Sequence, residues 1–376
     1  MTRSRNRRRG GREAGYSLVE LLVSMGIMVT VTGAIFALVD PGNAATQTQP
    51  EVQDMHQRMR VATDTLFKDL MMAGAGPYQG PVTGSLMGFF APILPHCWGN
   101  ACPTAAGGVT SGTAVASTIS MVYIPNTYSQ TTISDPMPPS SEELKVNPQP
   151  NCPDPSNNPL CGFHVKDELI IFDTSGHFDT FTVTEVQASA GHLQHRGDDL
   201  SYSYASGASV TQVESHTYYR DPTTNQLMHY DGSDNPAQAI ADNVVGLTFE
   251  YFGDPNPPIL PKPALGIANC LYDATGTYIA SGMTALTTGD GSLAPLPLSM
   301  LRDGPWCGGG NTQFDADLFR VRKIRVTIRI QTPNAVLRGT DPLLFLNPGS
   351  AKSGQRFVPD LITRFEVSPR NVNLTR

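Results

Sequence analysis

Residues 21–39, LLVSMGIMVTVTGAIFALV, carry no charged side chain. As a helix rising about 1.5 Å per residue, such a run is long enough to cross roughly 30 Å of hydrocarbon. On its N-terminal side stand Arg3, Arg5, Arg7, Arg8, Arg9 and Arg12, opposed by Glu13. Clustered arginines stay on the cytoplasmic side of a membrane. The expectation is therefore one membrane-crossing helix, with the rest of the chain outside the cytoplasm. A cleaved secretory signal fits less well. The apolar run is too long, and Phe36 and Leu38 keep Ala34 and Ala37 from forming a small-x-small cleavage site.

A plain signal anchor would account for the apolar run but not for Glu20, four residues after Tyr16 and just inside it. An unpaired carboxylate at that depth is expensive and calls for a partner. The stretch Gly15-Tyr16-Ser17-Leu18-Val19-Glu20, with its basic leader and apolar continuation, resembles the class III prepilin signal of type IV pilins and type II secretion pseudopilins. The resemblance implies cleavage after Gly15 by a prepilin peptidase and N-methylation of Tyr16. It also implies that Glu20 engages the N-terminal amine of a neighbouring subunit during assembly, where buried opposite charges each need the other. Tyr16 replaces the more usual Phe or Met, and Pro41 is the nearest counterpart of a proline that pilins commonly carry late in this helix.

Of the 376 residues, 35 are Gly and 31 Pro, and 40% are hydrophobic, so the chain is loop-rich yet able to build a core. The formal net charge is -7, and it falls to about -12 if six arginines and one glutamate leave with the leader. That balance argues against a broad nucleic-acid surface. The six cysteines, outside the cytoplasm, read as disulfides. Several pairings are open. The sequential one is preferred: Cys97 with Cys102, Cys152 with Cys161, and Cys270 with Cys307, because the first two pairs each lie within one Pro-rich loop. His96-Cys97 with Cys102 does not have the spacing of a zinc site.

Read in order, residues 1–15 form the leader and 16–39 the membrane and assembly half of an N-terminal helix. Pro41, Gly42 and Pro50 are expected to interrupt it. Within 40–76, Val52, Met55, Met59, Ala62, Leu66, Leu70 and Ala73 recur at helical spacing, opposite Gln53, Asp54, Gln57, Arg58, Arg60, Asp64 and Lys68. Gly74 and Gly76-Pro77 end that half. The remainder, 77–376, reads as a β-rich head. Strands are expected at 118–125, 167–173, 179–187, 200–204, 213–219, 227–230, 244–252, 319–330 and 361–367. The clearest is 319–330, where Ile324, Val326, Ile328 and Ile330 alternate with Lys323, Arg325, Thr327 and Arg329. That basic stripe reads as a solvated sheet face. The Pro-rich stretches 77–160 and 253–315 read as irregular insertions, 126–160 as lid-like.

The second half, with YYRDPTTNQLMHYD, IADNVVGLTFEY, VRKIRVTIRIQTP and a terminal RNVNL, is similar to the large minor pilins of the PilW class. The fold implied is α+β: a long N-terminal helix packed on an antiparallel sheet head with large disulfide-tethered loops. The role implied is a non-catalytic subunit of type IV pilus assembly or priming, in a tip complex. Its partners would be the major pilin, other minor pilins, the prepilin peptidase and the inner-membrane assembly platform. Such a subunit sits in the inner membrane with a periplasmic head and then enters the fibre. A J-like minor pseudopilin of type II secretion is the alternative within that machinery, and a membrane-anchored periplasmic enzyme the alternative outside it.

No catalytic motif accompanies these features. The eight histidines are scattered in sequence, and His192 and His195 fall in a turn-like stretch, AGHLQHRGDD, without metal-site spacing. Asp221, Asn225, Asp231 and Asp234 offer oxygen ligands of the kind calcium takes, but the twelve-residue loop with its closing glutamate is missing, and solvated turns are the plainer reading. The sequence calls for no cofactor.

Overall fold

A computed structural model describes residues 15–76, 85–98, 115–125, 129–149, 152–174, 177–197, 200–232, 236–269, 271–279, 285–286, 292–302, 316–351 and 357–374, with backbone alone at 38–45. Helix α1 spans Leu18–Met72, 55 residues, which is about 80 Å of helix. Ser17 opens it in a reciprocal capping box: its hydroxyl accepts from the Glu20 amide, and the Glu20 carboxylate accepts from the Ser17 amide.

The helix is continuous through Pro41 and Pro50, where the sequence predicted an interruption. A helical proline deletes one amide donor and crowds the preceding turn, at about 3 kcal/mol. Ala44 and Ala45 are good helix formers but Gly42, Asn43, Thr46 and Thr48 are poor ones, so propensity does not by itself account for the continuation. The turn after Pro50 is held, because the Thr332 hydroxyl donates to the Glu51 carboxylate at 2.8 Å.

The two halves of α1 differ in surroundings. Leu18–Ala37 is long and apolar enough to cross a membrane, and none of it is buried against the rest of the chain. From Met55 onward the expected stripe is inside: Met55, Met59, Ala62, Leu66, Leu70 and Ala73 are all buried, while Val52 stays exposed. The helix ends at Gly74, whose φ of +78° places it in the left-handed region. A β-carbon there would meet Pro92 Cγ at 3.0 Å and Val372 Cγ1 at 3.1 Å, so glycine is required twice over.

Sixteen strands follow among the described residues. They are β1 Ile93–Leu94, β2 Thr118–Tyr123, β3 Gln130–Thr132, β4 Glu143–Lys145, β5 Glu168–Phe172, β6 Phe178–Thr182, β7 Glu185–Gln187 and β8 His192–Gln194. The second set is β9 Ser209–Gln212, β10 Glu214–Asp221, β11 Gln226–Tyr230, β12 Gln238–Ala241, β13 Val244–Gly253, β14 Ala294–Leu296, β15 Val321–Ile330 and β16 Leu361–Val367. They form sheets ordered β1-β2-β10-β11-β12, β14-β13-β15-β16, β3-β9-β5-β6 and β4-β8-β7. Every pairing is antiparallel. The body is thus α+β, one long helix against antiparallel sheets.

The buried stripe of α1 joins a main core with residues of the first two sheets, including Met121, Tyr218, Ile324, Val326 and Ile328. A second core lies beneath the other two sheets. Strand β5 divides them: Ile170 and Phe172 face the first, Leu169 and Ile171 the second. A strand buried on both faces reads as an unbroken apolar run, as ELIIF does.

Three further readings need correction. The strand expected at 179–187 is two, β6 and β7, in different sheets. Residues 126–160 are not a lid: β3 and β4 lie there, and Ile133, Met137, Leu144, Val146 and Leu160 belong to the second core. Three-residue strands are too short to show a period, and flanking prolines mask them. The run 200–204 is also no strand; Tyr204 makes one isolated bridge, to Met137. Within 253–315, β14 is a sheet edge, and its Pro295 is therefore tolerated.

Candidate functional site

The prepilin-like residues lie at the free end of α1. Gly15 and Tyr16 precede the helix, and Tyr16 is 86% exposed. Glu20 sits in the first turn and finds a partner in its own chain, the Ser17 amide, 3.2 Å away. Its carboxylate also lies at the positive end of the helix dipole. The basic leader lies outside the described residues.

Cys152 and Cys161 are joined in a disulfide, as the sequential pairing expects. Cys97 is also disulfide-bonded, which removes it as a metal ligand. Cys102, Cys270 and Cys307 lie outside the described residues. So does Asp234. Of the other calcium candidates, Asp221 caps the β10–β11 turn by accepting from the Thr223 amide and the Thr224 hydroxyl. Asn225 occupies a left-handed turn position and accepts from Arg220. Asp231 follows Tyr230 at the opposite end of the hairpin, five residues beyond Gln226 or about 16 Å along the strand. The structure does not bring the described members of this set together.

The basic stripe of β15 is matched by carboxylates on neighbouring strands and loops. Lys323 pairs with Glu366 at 2.8 Å, Arg325 with Glu366 at 2.7 Å and Arg329 with Asp360 at 2.6 Å. The alternate residues Ile324, Val326, Ile328 and Ile330 are fully buried, as the pattern predicts.

The histidines that look scattered in the sequence include one real cluster. In β10, Glu214, His216 and Tyr218 share one face by the two-residue period of a strand. In β11, His229 pairs with Tyr218 across the hairpin, which makes it a diagonal neighbour of His216. The face is turned toward α1, which contributes Asp69. His216 Nδ1 and His229 Nε2 are 2.6 Å apart, and His216 Nδ1 lies 3.6 Å from Asp69 Oδ2. The Tyr218 hydroxyl donates to Asp69 Oδ2 at 2.5 Å. On β2, the Tyr123 hydroxyl donates to Glu214 Oε2 at 2.6 Å and lies 3.0 Å from His216 Nε2. His192 and His195 are elsewhere, His192 against Glu143 and His195 against Phe181.

Burial shapes this cluster's protonation. It pushes the Tyr123 and Tyr218 hydroxyls well above the usual phenol range, and their carboxylate partners push in the same direction. Burial also holds His229 below the usual imidazole value, and neighbouring His216 adds to that. A signal for the cluster was present in the chain. Counting back from the turn at Asp221-Pro222 brings His216 and His229 to one face, and Asp69 is a carboxylate inside the apolar stripe of α1.

Comparisons with protein-family models, with curated proteins and with solved structures give no match. The functional reading therefore rests on the residues themselves.

Proposed function

We propose that the chain is a minor pilin, cleaved after Gly15 and inserted into a type IV pilus through the exposed half of α1, with assembly rather than catalysis as its task. The observation that supports this reading is the division of one continuous helix. Its apolar N-terminal part, Leu18–Ala37, is not buried by any of the described residues, while its C-terminal part is locked into the head. An apolar helix extending from a folded head is suited to lipid first and to the helices of neighbouring subunits afterwards. Glu20 supplies the directional contact, a carboxylate whose charge complements a neighbour's Tyr16 amine.

The capping box offers a plainer role for Glu20, and one substitution separates the two. Gln at the third helical position also closes a capping box. Glu20→Gln therefore keeps the cap and removes the charge. With the pilin reading, the variant is processed normally and is depleted from sheared fibres, as is Glu20→Ala, whereas Gly15 replacement blocks processing. Intact mass and N-terminal sequencing of fibre and membrane fractions read all of these outcomes. A chain that keeps its leader and never leaves the membrane would overturn the proposal. Normal fibre levels of Glu20→Gln would reduce Glu20 to a helix cap.

A further inference from the structure

We propose that Asp69, His216 and His229 form a binding site for a divalent transition-metal ion of the zinc class, which pins helix α1 to the five-stranded sheet. The inference stands independently of the pilin reading.

The donor atoms Asp69 Oδ2, His216 Nδ1 and His229 Nε2 lie within 4.8 Å of one another. A tetrahedral zinc ion with bonds of about 2.0–2.1 Å holds its ligand atoms about 3.3 Å apart. The separations of 2.6 Å and 3.6 Å around His216 Nδ1 bracket that value, so side-chain adjustments of under about 1 Å admit the ion. Two imidazoles and one carboxylate are a donor set for zinc and its neighbours, whereas calcium and magnesium take oxygen ligands. His216 is 17% exposed at its side chain, which leaves a route for the ion and a water in the fourth position.

Two further observations point to a cation. The Asp69 side chain is 8% exposed, and among the described residues neither a lysine nor an arginine pairs with it. Together with Glu214 it places two carboxylates around two imidazoles, and a buried carboxylate is stable only when its charge is met. The outer contacts also match what metal-bound histidine needs. His216 Nε2 faces the Tyr123 hydroxyl at 3.0 Å and Glu214 Oε2 at 3.5 Å. That arrangement keeps the proton on Nε2 and turns the Nδ1 lone pair inward. The Tyr218 hydroxyl likewise orients Asp69. Such partners fix the tautomer and direction of ligating groups.

The ion would join α1, β10 and β11 at one point. Because the three donors converge only in the folded head, the ion would bind the folded state and stabilise it.

The test uses the full chain in detergent, stripped with a chelator and dialysed against zinc. The expected result is one tightly held zinc per chain and a higher melting temperature in zinc. His229→Gln should weaken zinc binding more than about 100-fold. Glu214→Gln, which touches His216 but not the metal, should weaken it about 10–100-fold. Cobalt(II) in the unsubstituted chain should show the strong visible absorption of a four-coordinate ion, a readout that needs no variant to fold. Zinc retention equal in the unsubstituted chain and in His216→Gln or His229→Gln would overturn the proposal. So would a weak, six-coordinate cobalt spectrum, which would leave the imidazoles joined by a hydrogen bond alone.

Discussion

Acidification should destabilise the head through one buried imidazole, His96. Its side chain is fully buried, and neither ring nitrogen has a hydrogen-bond partner among the described residues. Burial lowers its pKa from 6.5 to about 4, because the imidazolium would have to give up water without gaining a partner. The folded-state value lies below the unfolded one, so between them the unfolded chain binds the proton and the folded chain does not. The stability is present above pH 6.5 and is lost as pH falls toward 4. At 1.36 kcal/mol per unit, the loss from pH 7 to 4.5 is about 2.4 kcal/mol, approaching about 3.4 kcal/mol at lower pH. His96→Leu removes the proton site at similar volume and sacrifices no hydrogen bond, so that variant should fold and should lack this component. Urea unfolding of both chains in detergent, followed by circular dichroism from pH 7 to 4.5, isolates the term, because all other titrating groups are shared. The stability difference between the two chains should shift by about 2 kcal/mol in favour of the variant as pH falls. A difference that stays constant within about 0.5 kcal/mol over that range would refute the argument.

Three further outcomes follow from packing. Leu66→Ala, at a fully buried position of α1, should cost about 2–5 kcal/mol in the same urea assay. Gly74→Ala should cost about 1–2 kcal/mol for its left-handed backbone, and more for the crowding against Pro92 and Val372, seen as a lower unfolding midpoint with an unchanged slope. Replacing Cys152 and Cys161 together by serine opens a loop of nine-residue separation and should cost about 2.6 kcal/mol by loop entropy. Proteolysis near residues 152–161 should then become faster.

The chain's linear pattern carried much of this architecture. The charge-free run after Glu20 and the stripe from Met55 to Ala73 define the two halves of α1, because helix period and hydrocarbon thickness are local properties. The alternation of Ile324, Val326, Ile328 and Ile330 placed β15 for the same reason: a strand facing core on one side repeats every second residue. The short strands β3 and β4 escaped, since three residues cannot show a period. The continuity of α1 through Pro41 and Pro50 also escaped, because propensity alone does not weigh what holds the flanking turns.

The tertiary structure decided which polar groups meet. Asp69 lies 147 residues before His216 in the sequence, and only the packing of α1 on the β10–β11 hairpin brings carboxylate and imidazoles together. The paired basic stripe on β15 is another case, because its partners Glu366 and Asp360 lie 31 to 43 residues further on, in and just before β16. Composition and period report which face of an element is apolar. They do not report which faces will be opposed, and electrostatic contacts exist only once that choice has been made.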